Sequence, residues 1–199
     1  MTRAATLGLI LIAAIALGLR LPKLEERPLH ADESVHAIKF LGLWEGRGYR
    51  YDPDEYHGPT LYYASLPFAW LGSLLPSRTA DTRTKDQPPP LSEGALRLAP
   101  LAFGLGLILL LPLLRDALGQ GGVLGAGLFT ALSPAFVYYS RYYIHELLLV
   151  LFTLLFVAAA WRYWRSGGIV WAILSGVALG LMHATKETFV FALVALAGA

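Results

Sequence analysis

The sequence predicts an all-α fold, a polytopic bundle of transmembrane helices with one long extracytoplasmic loop that carries juxtamembrane helices. Three observations point there. Of 199 residues, 56% are hydrophobic and 15% charged, against about a quarter charged in an ordinary soluble domain, and the mean hydropathy is +0.54. The charges are clustered, which leaves apolar runs at Ala4–Leu19, Leu98–Leu114, Val123–Tyr139 and Leu147–Trp161. A helix crossing the hydrocarbon core needs roughly 17–25 mostly apolar residues, and most of these runs reach that length once interfacial aromatics are added.

Composition also removes whole classes of function. A net charge of +2 is too small to suggest a nucleic-acid partner. With no cysteine, disulfides and thiolate metal sites are excluded. The sequence stops at Ala199 inside an apolar run with no helix stop signal, which reads as the N-terminal part of a longer chain.

Taken in order, Met1–Leu21 reads as a retained first membrane helix, about residues 4–21. The A-x-A candidate for cleavage, Ala14-Ile15-Ala16, lies inside the apolar run. Pro22–Glu93 is polar and uneven. Ala31–Glu45 spaces Val35, Ile38, Leu41, Gly42 and Trp44 near a helical period, with Asp32 and Glu33 in the first turn, as in an amphipathic surface helix. Gly46–Pro59 is turn-rich. Thr60–Leu75 is apolar but interrupted by Pro67 and barely long enough to span, so a second surface helix over 60–75 is expected. Ser77–Ser92, with Pro88-Pro89-Pro90, reads as a mobile extended loop. Further spans are expected at about 95–114, 121–140, 143–164, 168–184 and 188–199, and Gly176-x-x-x-Gly180 allows close helix contact.

If Thr60–Leu75 does not cross, Arg115, Arg162 and Arg165 share one face and Arg141 with Lys186 the other. Short-loop counting then makes the first face cytoplasmic, although Arg20, Lys23 and Arg27 oppose it locally. The same topology gathers Asp32, Glu33, Asp54, His57, Arg141, His145, Glu146, Lys186 and Glu187 on the extracytoplasmic side, and ionisable groups collected at one membrane face are what a site needs.

Asp32 and Glu33 are neighbours about 100° apart on a helix, so one can face a substrate or metal while the other caps the helix or pairs with Arg27. Both also read as ordinary first-turn acids. Asp52, Asp54, Glu55 and His57 offer oxygen and imidazole ligands, or simply a solvated turn. Ser140–Glu146 places Arg141 where it can hold a phosphate and Glu146 where it can add a carboxylate. Alternatively, Tyr138, Tyr139, Tyr142 and Tyr143 form an interfacial belt with both charges snorkelling. Lys186-Glu187 divides in the same way between phosphate contact and anchoring.

The order of motifs is specific where each motif is loose. R-P-L-x-x-D-E-S at Arg27–Ser34 is followed by H-G-P-x-L-Y-Y from His57 and R-L-A-P-L-x-F-G from Arg97. Then come L-S-P-x-x-x-Y-Y-S-R-Y-x-x-x-E, ending at Glu146, and G-L-x-x-x-T-K-E, ending at Glu187. Across Arg27–Glu187 the chain resembles the polytopic GT-C glycosyltransferases, particularly the protein O-mannosyltransferase and aminoarabinose transferase group. It is similar within it to bacterial and archaeal relatives associated with N-glycosylation or flippase activity. That resemblance implies a multi-pass protein of a bacterial or archaeal plasma membrane with an extracytoplasmic active site. It would take a sugar from a polyprenyl-phosphate carrier to a protein, lipid or glycan acceptor. By resemblance Asp32 matches the catalytic aspartate, with Glu33 beside it, and Glu146 the second acidic motif. His57 stands where aminoarabinose transferases have a lysine near the lipid phosphate, and Tyr56 where they have a metal-binding glutamate, a departure that weakens the case for a metal. Arg141 and Lys186 are carried over as phosphate contacts. A divalent metal ion is the one candidate cofactor, with Asp32 and Glu146 its expected ligands. The rival reading is a non-catalytic lipid-linked-sugar-binding or flippase-associated membrane protein.

Overall fold

The computed structural model describes residues 1–54, 57–73 and 91–198. Among these the chain is helical: α1 (Arg3–Arg20), α2 (Ala31–Trp44), α3 (Thr60–Ser73), α4 (Glu93–Leu110), a 3-10 segment Leu111–Leu114, α5 (Arg115–Leu132), α6 (Pro134–Tyr139), α7 (Glu146–Ser166), α8 (Ile169–His183) and α9 (Phe189–Ala197). Arg3–Arg20, the helical stretch Glu93–Leu132 and Glu146–Ser166 are each long and apolar enough to cross a membrane; Ile169–His183 is shorter. Large apolar side chains such as Leu7, Ile10, Phe129, Ile169, Phe191 and Val194 point outward and stay exposed. Water would penalise such a surface, and lipid accepts it.

Polar contacts at the helix ends set the topology. At one end of α1 the Thr2 amide donates to Gln120 Oε1 (2.8 Å). At the other, the buried Arg20 guanidinium donates to Ala16 O (3.1 Å), Ala131 O (2.9 Å), Thr130 O (2.8 Å) and Ser140 Oγ (3.0 Å). A cation among terminal carbonyls satisfies groups the helix leaves unpaired and complements its dipole. α1 and α5 are thereby parallel. Near the start of α5 the chain reverses at Gly119, whose φ of 68° favours glycine. α7 turns into α8 through Gly167, also left-handed at φ 64°, whose amide caps Tyr163 O at 2.7 Å. Asp116 accepts from Arg162 (2.9 Å) at the end of the bundle away from Arg20.

α3 does not run through the bundle. Its start is tied to the end of α8 by Thr60 Oγ1 donating to Thr185 Oγ1 (2.8 Å) and by Gly58 N donating to Thr185 O (3.1 Å). Its far end packs against the first turn of α4, where a Cβ on Gly72 would come within 2.7 Å of Ala95 Cβ. Both contacts lie at the Arg20 end. A core of Phe40, Leu61, Tyr62, Leu96, Tyr143 and Met182 cements α2 and α3 over α4, α7 and α8. A second core with Leu9, Ala16, Ile108 and Val123 joins α1, α4 and α5.

Two expectations change. The run at 121–140 is broken at Ser133, because a residue before proline is driven out of the α region (ψ 125°) and Pro134 starts α6 anew. α7 starts at Glu146 rather than 143, since Arg141–His145 form a packed turn. In α2 the buried face carries Glu33, His36 and Phe40, while Ile38 and Leu41 point outward. The segment 74–90, including most of the expected extended loop, lies outside the described residues.

Candidate active site

The 100° step between Asp32 and Glu33 divides their roles. Glu33 turns inward and is fully buried. Its Oε1 accepts from Arg97 Nε (2.8 Å) and the Tyr143 amide (3.0 Å). Its Oε2 accepts from Arg97 Nη2 (3.0 Å), Arg27 Nη2 (2.9 Å) and the His30 amide (3.0 Å). The Arg97 guanidinium is saturated in turn by Leu24, Arg27 and Pro28 carbonyls. Burial alone would raise the Glu33 pKa, but the hydrogen bonds from Arg97 and the two backbone amides outweigh it and hold the carboxyl below its ordinary value. Five donors occupy the roughly four lone-pair positions of a carboxylate. Glu33, expected as a catalytic acid beside Asp32, is therefore a structural anchor with no oxygen free for a substrate.

Asp32 turns the other way. Its side chain is 67% exposed and lines a cavity of about 320 Å³ together with His36, His57, Ile144, Glu146 and Lys186. The Tyr142 hydroxyl donates to Asp32 Oδ2 (3.2 Å) and sits 2.6 Å from His30 Nδ1. Partial burial and the adjacent Asp32 charge push the Tyr142 pKa up to about 12, so it remains a proton-bearing donor. The Asp32 side chain is open to solvent at the cavity.

Across the cavity Lys186 Nζ donates to Glu146 Oε1 (2.8 Å), while Glu146 Oε2 is buried without a hydrogen-bond partner. A backbone bridge pairs His57 with Lys186, and the Tyr49 hydroxyl donates to the His57 carbonyl (2.7 Å). This close approach requires Gly58, where a Cβ would fall 1.9 Å from Ala184 O. The site thus unites α2, the segment before α3, the start of α7 and the segment after α8.

Arg141 is not part of it. Its guanidinium donates to Leu19 O (3.4 Å) and Lys23 O (3.2 Å) and faces a separate cavity with Lys23, Leu24, Arg27 and Tyr138. Sequence spacing alone could not tell which side of the turn the side chain would take. Tyr56 lies outside the described residues. Asp52 accepts from Lys39 (3.3 Å) and from the Asp54 amide (3.0 Å), a self-contained turn.

Residues not singled out for chemistry complete the site. His36 lies one turn after Asp32 on the same helix, a spacing that puts both on one face and was readable. His145, at the start of α7, packs against His36 and His57. Burial chiefly, and nearby His57 and Lys39 next, lower the His36 pKa to about 4. Burial likewise lowers His145 well below its ordinary value. Arg97 was readable too, since an arginine inside an apolar run needs a buried partner. As for a metal, among the described residues the donor group that closes is His36, His57 and His145; Asp32 and Glu146 face the cavity without joining it.

The fold and the site together define a membrane-embedded helical protein with a cation- and carboxylate-lined cavity at one end of its bundle. The family model for dolichyl-phosphate-mannose-protein mannosyltransferase matches residues 56–199, and the chain belongs to that family. It is accordingly an integral membrane glycosyltransferase of the mannosyltransferase type. The matched span begins after α2 and so covers His57, Arg141, Glu146 and Lys186 but not Asp32. No curated protein and no solved structure gives a significant match.

Proposed function

We propose that this protein transfers a sugar from a polyprenyl-phosphate-linked donor to an extracytoplasmic acceptor, with Asp32 as general base. The observation that carries the reading is that Asp32, Lys186 and His57 line one cavity. Asp32 accepts the proton of the acceptor hydroxyl as that oxygen attacks the anomeric carbon. The bond from the anomeric carbon to the phosphate oxygen breaks, and its electron pair leaves with the lipid phosphate. A single displacement inverts the anomeric centre.

Lys186 and His57 face the departing phosphate and stabilise the charge that grows on it. Glu146 holds Lys186 by its Oε1. Tyr142 keeps the Asp32 carboxylate oriented. The exposed apolar side chains Ile38 and Leu41 on α2 suit a helix lying against lipid beside the donor's polyprenyl chain.

The experiment is transfer of labelled sugar from a polyprenyl-phosphate donor by the intact protein in membranes, with the anomeric configuration of the product determined by NMR. An inverted product supports a single displacement at this cavity. A retained configuration contradicts it, and specific donor binding without any transfer favours the non-catalytic alternative.

A further inference from the structure

Three histidines from three elements meet behind the Asp32 cavity. His36 comes from α2, His57 from the segment before α3, and His145 from the start of α7. Their ring centroids form a near-equilateral triangle, His36–His145 4.7 Å, His57–His145 4.9 Å and His36–His57 5.1 Å. One ring nitrogen from each lies within 4.8 Å of the corresponding nitrogens of the other two. The rings are inclined to one another by 73° (His36–His145), 44° (His57–His145) and 65° (His36–His57).

Hydrogen bonding selects which nitrogens carry lone pairs. His145 Nε2 lies 3.1 Å from the Gly58 carbonyl oxygen. A carbonyl only accepts, so Nε2 bears the proton, and Nδ1 of the neutral ring bears a lone pair. That Nδ1 is buried without any hydrogen-bond partner, on a side chain with no exposed surface. His36 Nδ1 is engaged by the Tyr62 hydroxyl at 3.2 Å, which leaves its Nε2 for a ligand. A backbone carbonyl behind one imidazole and a tyrosine behind another are the outer hydrogen bonds that orient metal-ligating histidines. An orphaned buried acceptor in a packed region is otherwise unfavourable.

We propose that His36, His57 and His145 form a binding site for a divalent transition metal ion of the zinc type. Three neutral imidazoles without thiolate or carboxylate suit zinc, and three protein ligands with one open position is the arrangement of reactive rather than purely structural zinc sites. At bond lengths of about 2.0–2.1 Å a tetrahedral ion draws its nitrogens to roughly 3.3 Å apart, which small ring rotations achieve from the present spacing. His36 and His57 also line the cavity that contains Asp32, Glu146 and Lys186. The fourth position therefore opens toward that cavity and takes a water or an oxygen of an entering anion. Lys186, which lines the same cavity, is paired with Glu146 at 2.8 Å. The site stands on these three side chains and does not depend on the transfer reaction.

The test uses the intact chain in detergent, stripped with a chelator and reloaded with zinc or cobalt(II). The expected result is one ion per chain by elemental analysis. Cobalt should give the intense visible d–d bands of a tetrahedral nitrogen-rich site, and zinc should raise the thermal midpoint, since it binds the folded state alone. His36→Ala and His57→Ala should each weaken binding by more than the roughly 10–100-fold that loss of an outer hydrogen bond causes. Asp32→Asn should keep the ion. The cobalt spectrum of the unaltered protein keeps the proposal testable if a histidine variant fails to fold. Wild type with no stoichiometric ion after reloading overturns it, as does an ion retained in both histidine variants.

Discussion

The Arg97 guanidinium meets the Glu33 carboxylate in a bidentate pair, Nε to Oε1 at 2.8 Å and Nη2 to Oε2 at 3.0 Å, with both side chains sealed from solvent. This pair joins the base of α2 to the first turns of α4 and fixes which way Asp32 faces. Removing one partner strands a buried charge, and Glu33→Ala or Arg97→Ala should each destabilise the fold by about 3–5 kcal/mol. A double-mutant cycle read by denaturant or heat should show strong coupling, with the double variant far less damaged than the sum of the two. Additive losses contradict the pairing.

The same pair makes stability depend on acid. The folded pKa of Glu33 is depressed, so its contribution is full above the unfolded value of about 4.3 and is lost as pH falls through the lower folded value. The stability gap between wild type and Glu33→Gln, measured by unfolding at a series of pH values, should be constant near neutrality and shrink below about pH 4. A gap that widens on acidification contradicts the assignment.

Arg20 closes the ends of α1 and α5 with four hydrogen bonds. Arg20→Met should cost about 3 kcal/mol, and Arg20→Lys should restore only part, because an ammonium cannot reproduce the planar fork. Unfolding in detergent measures both. Equal stability of the lysine variant and wild type would show that charge alone suffices.

Lys186 and Arg141 should separate in kinetics, although both are cations at the same end of the bundle. Lys186→Ala should raise the KM for donor roughly 10–100-fold, the worth of one charge-assisted hydrogen bond, with Lys186→Arg partly retaining affinity. Arg141→Ala should leave donor KM unchanged, since its guanidinium lies in another cavity. Steady-state transfer kinetics decide, and a large KM effect at Arg141 contradicts the geometry.

The helical class was legible because lipid permits few backbone solutions, and long uncharged runs announce them. The unequal roles of Asp32 and Glu33 were legible in kind, since adjacent helical residues cannot face one point. What decided between them was Arg97, distant in sequence. The inward face of α2 was not legible: the spacing of Ile38 and Leu41 marks an apolar stripe, and only tertiary packing chose Glu33, His36 and Phe40 to go in. Nor was the triangle of His36, His57 and His145, whose members come from separate elements and share no local motif. Arg141 failed for the same reason, because a turn residue's direction depends on neighbours such as Leu19 and Lys23 that spacing does not encode.

The most direct test of the central claim compares donor binding and sugar transfer for wild type, Asp32→Asn and Asp32→Glu in the same membranes. The account predicts that Asp32→Asn binds the polyprenyl-phosphate donor normally yet loses transfer by roughly 10²–10⁴-fold, the contribution of a positioned general base, and that Asp32→Glu recovers part of it. Transfer by Asp32→Asn at the wild-type rate, with intact binding, would contradict Asp32 as the base.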